Sequence, residues 1–271
     1  MKFQRYLEIF KALIWRQLRF VKFQTTKVSA QIFTLFSKKS KTSKTAHIIV
    51  MGNKRYGKMA LFCAFTFLKR NRTQYGVKIH CDPSNYNLLS RKWLVKKSDI
   101  VLCKCLEDDD DPYRKQLEYF GNIQGTYDVL MDADIWWHSI LPVESVPITY
   151  NKETSDRSKF LVNLVNHLTL LPLNFRKNNL IMITGCFTSW NGFSSGLESK
   201  KILELFDQLK SESKILAELK PGELRLIGQI VMSVCFNQLE SFKSIIEIEE
   251  KSKVPLLSTS FFGATGYFYG Q

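Results

Sequence analysis

The sequence predicts an α/β fold, a helix-flanked and mainly parallel sheet preceded by a basic helical arm. Three observations carry that prediction. Between residues 46 and 137, four strand-length apolar runs alternate with three helix-length segments, the order that builds βαβ units. Hydrophobic residues make up 45% of the 271 and aromatics 13%, enough for a substantial core and too many for a disordered chain. The net charge of +14 is unevenly spread: residues 1–45 carry eleven Lys and Arg against Glu8 alone, hence ten of the fourteen charges. The chain therefore divides into an arm with its linker, 1–45, and a body, 46–271. The body divides again near residue 135 into halves 46–135 and 136–271.

In the arm, Phe3, Tyr6, Leu7, Phe10, Leu13, Ile14, Leu18 and Val21 recur at three- and four-residue spacing, one face of a helix. Arg5, Lys11, Arg16, Arg19 and Lys22 fall on the other side. A basic face opposite an aromatic-rich apolar one suits a helix lying on an anionic membrane surface, and residues 1–36 are expected to make that contact. The same face could dock on the body or on a partner. Nucleic acid is the least favoured partner, since no recognition motif accompanies the cations. The following run, Ser37 to Lys44, reads as a solvated linker.

The sequence has no run of 18 apolar residues to span a membrane, and no secretory signal is expected, because charges interrupt the N-terminal apolar residues. The six cysteines show no CxxC pair, and Cys103-Lys104-Cys105 is too tight for zinc. Buried thiols in a cytoplasmic protein, peripheral at the inner face of a membrane, are the expectation.

In the body, Ala46–Met51 reads as a first strand broken by Gly52-Asn53, and Gly57–Arg70 as a largely buried helix. Val77–Cys81 is a second strand ending at Asp82-Pro83, Tyr86–Lys97 a helix, and Asp99–Cys103 a third strand. Beyond the acidic turn 107–111, Pro112 opens a helix through Phe120. Gly52-Asn53-Lys54-Arg55-Tyr56-Gly57-Lys58 fits the spacing of a phosphate loop between strand and helix. However, Met59 follows where a metal-binding hydroxyl belongs, and the loop is bulky. A kinase or nucleotide hydrolase using this loop and Asp132 is the alternative it allows.

Next comes Tyr127-Asp128-Val129-Leu130-Met131-Asp132-Ala133-Asp134-Ile135-Trp136-Trp137, a short apolar strand delivering two carboxylates one residue apart. Acids at a strand end lie where open α/β sheets bind ligands, and a sharp turn would bring both onto one hard cation such as Mg²⁺ or Mn²⁺. The plain alternative is a solvated acidic turn.

This stretch resembles the DxD region of GT-A glycosyltransferases, and the resemblance extends softly over residues 46–240. It implies a Rossmann-type mixed sheet flanked by helices, with 46–135 as the nucleotide-sugar half and 136–271 as the acceptor half. It further implies a divalent cation, Mn²⁺ or Mg²⁺, held by Asp132 and Asp134, and transfer from a nucleotide-sugar donor to a glycan or lipid-linked acceptor. On the same basis Asn53, Tyr56, Asp82, Arg114, Asp132 and Gln229 would contact the donor, with Asp134 and Glu223 in the catalytic set. Glu223 follows Pro221-Gly222 at an expected helix start, where it is either a base or a helix-capping acid. Trp136, Trp137 and Trp190 could stack on an acceptor sugar or serve the core.

Asn179–Phe187 would be the strand holding sugar and acceptor groups, and Trp190–Gly196 a mobile glycine-rich loop. The aromatic and glycine run 261–270 would be a closing segment or a terminal strand. Two departures stand out. Position 228 is Gly, so an Asp-Gln pair is absent, and no His follows His167 as a third metal ligand, leaving His138 as the nearby substitute. A non-catalytic scaffold of the same fold is the third class.

Overall fold

Strand β1, Lys44–Val50, starts two residues before its apolar run, because Lys44 and Thr45 pair in parallel with Tyr75 and Gly76; the Thr45 N–H also donates to Asp128 Oδ1 at 2.7 Å. That bond fixes the entry of the body beside the strand that follows Asp128. The computed structural model describes residues 2–36, 44–104, 111, 114–115, 117–118, 128–131, 133, 135–137, 140, 148–152, 183–189, 199–215, 227–228, 230–231 and 258–260.

Helix α1, Lys2–Phe36, precedes the sheet. After β1 come α2 (Lys54–Asn71), β2 (Tyr75–Cys81), α3 (Pro83–Ser90), α4 (Trp93–Lys96) and β3 (Ile100–Lys104). Then follow β4 (Val129–Met131), β5 (Ile135–Trp137), β6 (Ile148–Lys152), β7 (Ile183–Ser189), helix α5 (Ser199–Ile215) and β8 (Ser258–Ser260). Arg114, Lys115, Leu117 and Glu118 are helical, as are Ile227, Gly228, Ile230 and Val231, and the last four are buried.

Six strands make one mixed sheet in the order β3-β2-β1-β4-β7-β6. Strands β3, β2, β1 and β4 are mutually parallel; β7 is antiparallel to β4, and β6 antiparallel to β7. The protein is thus a mixed α/β fold with a four-strand parallel sheet flanked by helices. Strands β5 and β8 pair separately, antiparallel.

The core sits between the parallel strands and α2. Ala60, Cys63, Ala64 and Phe67 of α2 join Ala46, Ile48, Val50, Val77 and Ile79 in one buried cluster. Cys63 and Cys81 are buried there as thiols. Trp137 packs edge-on against Phe67 at 4.9 Å, and its backbone N–H donates to Thr66 Oγ1 at 3.3 Å, which seats β5 on α2. Burying a ring of this size is worth about 3 kcal/mol, so β5 is a core element rather than a trailing loop. At the other end, the Arg72 guanidinium pairs with the Asp99 carboxylate at 2.7 Å, joining the C-cap of α2 to the start of β3.

Several boundaries differ from the sequence expectation for local reasons. Helix α2 starts at Lys54, because Asn53 is its N-cap and accepts the Arg55 N–H at 3.0 Å. The single helix expected over 86–97 is two. Asp82 caps α3 with Pro83 in its first turn, α3 ends at Ser90, and Lys92 in an extended conformation starts α4. The strand expected over 179–187 runs from Ile183 to Ser189.

Candidate functional site

The strand order reverses at β1: β2 and β3 extend the sheet to one side, while β4 adds on the other. Such a reversal opens a crevice at the carboxyl edge, between the loops leaving β1 and β4. Strand β4 ends there at Met131, in register with Ile48. Asp132 is the next residue in sequence. Asp132 and Asp134, like Glu223, Gln229, Trp190 and His138, lie outside the described residues, as do the segments 190–196 and 261–270. Ala133 between the two acids is half-buried and packs against the core.

On the β1 side the connection is three residues long, Met51 to Asn53, and tightly bound. Gly52 takes φ +78°, a conformation that costs an L side chain about 1 kcal/mol or more. Its N–H donates to Asp82 Oδ2 at 2.6 Å, and its carbonyl accepts from Asn85 Nδ2 at 3.1 Å. Asp82 Oδ1 accepts the Asn85 N–H at 2.7 Å. Asp82 and Asn85 are both buried, so the loop after β1 is clamped to the first turn of α3. Asp82, expected at the donor, spends both carboxylate oxygens on this clamp. A β-carbon on Gly57 would lie 2.5 Å from Asn85 Oδ1, so close helix approach requires the second glycine.

Those facts also account for the Gly-x-x-x-x-Gly-Lys spacing. Gly52 serves the turn, Gly57 serves packing, and Lys54 to Lys58 are already helical. A phosphate cradle needs that stretch as an open loop whose N–H groups converge. With only Met51 to Asn53 between strand and helix, the phosphate-loop reading loses its geometry.

What the crevice does offer is positive charge. Asn53, Lys54, Arg55, Tyr56 and Lys58 are exposed, with Tyr56 47% accessible at the start of α2. The first turn of α2 holds no acid. Cations at a helix N-terminus oppose the macrodipole and carry a cost of about 0.3–1 kcal/mol each that a bound anion would reverse.

The other expected contacts are dispersed. Arg114 forms a fork with Asp207 of α5, Nε to Oδ1 at 3.1 Å and Nη2 to Oδ2 at 3.0 Å, in an exposed position. Its neighbour Asp111 receives the Lys210 ammonium, so the segment after the acidic turn is tied to α5. Trp136 is half-buried, edge-on to Phe62 at 5.6 Å, with the Lys22 ammonium 5.9 Å above its ring. Trp137 is 2% exposed, its ring sunk in the core rather than offered to an acceptor. Among the described residues, no group of three or more His, Cys, Asp or Glu is placed to hold a metal.

A polar network that the sequence reading overlooked crosses the sheet. His47 Nδ1 lies 2.9 Å from His80 Nε2 with the rings stacked, and His47 Nε2 lies 3.1 Å from Asp128 Oδ2. Burial, then the neighbouring His47 and Lys78, hold the His80 imidazole down at about 4. His80 is therefore neutral near pH 7, His47 Nε2–H donates to the Asp128 carboxylate, and of His47 Nδ1 and His80 Nε2 one donates to the other. Burial works to raise Asp128, but the hydrogen bonds from His47 and the Thr45 N–H carry it below the usual carboxylate value. Burial and Asp128 push the Tyr75 phenol up to about 12. The sequence signal was a histidine in each of two apolar strands, and the parallel register turns it into a contact.

Compared with protein-family models and with curated proteins, the chain matches none.

Proposed function

We propose that the chain is a GT-A-like glycosyltransferase, moving a sugar from a nucleotide-diphosphate sugar to a glycan or lipid-linked acceptor. One observation carries the reading: β4 sits beside β1 at the reversal of strand order, at the edge where the cationic start of α2 follows β1, and Asp132 is the next residue in sequence after β4. The mixed sheet, four parallel strands followed by antiparallel β7, is compatible with it.

Two carboxylates one residue apart are oxygen donors of the kind Mg²⁺ or Mn²⁺ takes, so Asp132 and Asp134 would hold the cation. The cation supplies charge neutralisation to the diphosphate leaving group. Lys54, Arg55 and Lys58, with the N–H groups opening α2, attract the same phosphates from the β1 side. Tyr56 offers its ring to the base, and Asn53 shapes the turn beside it. Asp82 acts one step back, holding Gly52 in place through its buried carboxylate. Glu223 is the candidate base on the acceptor hydroxyl. Trp136 is the better placed of the two adjacent indoles for an acceptor, being half-buried where Trp137 is enclosed.

The test is nucleoside-diphosphate and nucleotide-sugar binding, followed by thermal shift or calorimetry with and without Mn²⁺. Binding should require the cation and disappear in Asp134→Ala. Metal-independent binding untouched by that substitution would overturn the proposal, and binding of neither nucleotide nor metal would mark the chain as a scaffold.

A further inference from the structure

Helix α1 has two differently employed sides. One packs on α2: Ala30 is fully buried, and the Lys69 ammonium donates to Ser29 Oγ at 2.5 Å. Another side carries Tyr6, Phe10, Ile14, Leu18, Val21 and Ile32, which are 43–70% exposed. At 100° per residue these fall within about 120° of the helix circumference, a stripe about 40 Å long. An apolar stripe of that length left in water is costly and marks an interaction surface.

Charge decides what covers it. Over Lys2–Phe36 the helix has seven Lys and Arg against Glu8 alone. Two such helices side by side would repel, whereas an anionic lipid surface attracts them and accepts the apolar stripe together. The groove beside the stripe strengthens the match. A cavity of about 240 Å³ between α1, α2 and β5 is lined by Lys22, Thr26, Thr66, Lys69 and Arg70 with Trp136 and Trp137. Three cations and two hydroxyls converge on it, and no described acidic residue lines it. An indole beside cations is the combination found where protein meets the headgroup layer.

We propose that α1 docks the protein on an anionic bilayer, the stripe from Tyr6 to Ile32 entering the acyl boundary and the Lys22–Lys69–Arg70 cavity receiving a lipid phosphate. The inference does not depend on the sugar-transfer reading, and it is tested without nucleotide. The full chain is sedimented with vesicles of phosphatidylcholine alone, or with phosphatidylglycerol added. Binding is expected only to the second, weakening steeply as salt shortens the screening length. Phe10→Asp with Leu18→Asp should abolish it. Lys22→Glu should lower partitioning by about fivefold or more for the charge removed, with an unchanged circular dichroism spectrum.

Equal binding to both vesicle types, or anionic binding unchanged in the double variant, overturns the proposal. So does a concentration-dependent dimer of the wild type that the double variant loses, since the stripe would then belong to a second copy. If the double variant fails to fold, the lipid and salt dependence of the wild type still decides the matter.

Discussion

At Gly57 a single methyl group separates a good helix residue from a steric conflict. Alanine there would gain about 1 kcal/mol of helix propensity. Its β-carbon, however, would meet Asn85 Oδ1 at 2.5 Å, and Asn85 is fully buried and held by Gly52 and Asp82. The clash wins because the amide has nowhere to swing. Gly57→Ala is expected to destabilise the fold by about 1–3 kcal/mol in urea denaturation. In an Asn85→Ala background the same change should become neutral or stabilising, the non-additivity of two groups in contact. Additive losses would refute the packing explanation. The sequence left the pair open to a phosphate-loop alternative, against which Met59 and the bulk of the loop already stood. The turn glycine was suggested by its place after a strand, but the packing glycine answers to a side chain 28 positions away.

Among the elements, α2 joins stability to binding with opposite signs. Its buried side is core, and its start carries Lys54, Arg55 and Lys58 without an acid to balance the dipole. Arg55→Glu with Lys58→Glu should therefore raise stability by a few tenths to about 1 kcal/mol. The same variant should weaken nucleoside-diphosphate affinity by about tenfold or more. Denaturant midpoint and calorimetric titration on one preparation separate the two effects. If affinity held while stability rose, these cations would be a solvated surface and not a phosphate contact.

The helix was legible in the sequence as a buried apolar run, although its start was placed three residues late. The N-cap Asn53 signals the true start, since a side-chain acceptor there satisfies an otherwise orphaned N–H. The same lesson applies to Asp82-Pro83, which reads as a strand end and serves as the cap and first residue of α3.

For the whole molecule, the His47–His80–Asp128 chain makes global stability depend on pH. It binds β1 and β2 to the residue that opens β4. His80 is held at about 4 in the folded protein, against 6.5 for an unperturbed imidazole, by burial first and then by the neighbouring His47 and Lys78. The unfolded chain then takes up a proton that the folded one refuses. The contribution is fully present above pH 6.5 and is lost as pH falls from about 6.5 to about 4, by at most about 3 kcal/mol. Asp128, whose folded value is lowered, adds a further loss at still lower pH as it is protonated. Urea midpoints measured from pH 7.5 down to 4 should fall in the first window, and His80→Gln should flatten that fall. An unchanged slope in the variant would assign the dependence to other groups. No helix among the described residues is long and apolar enough to cross a bilayer.

The sequence by itself determined what is local: the alternation of strands and helices, the segregation of a net charge of +10 into the first 45 residues, and the strand that runs into Asp132-Ala133-Asp134. Each of these is a matter of period or composition within a short window, and a window is all that periodicity can read. Tertiary structure alone decided that β4 lies beside β1, that β7 runs antiparallel to it, and that two strand histidines touch. It also committed Asp82 to a clamp, sent Trp137 into the core, and left one side of α1 open while another packs on α2. These outcomes rest on contacts between residues tens of positions apart, where strand order and register, not local pattern, set which side chains meet.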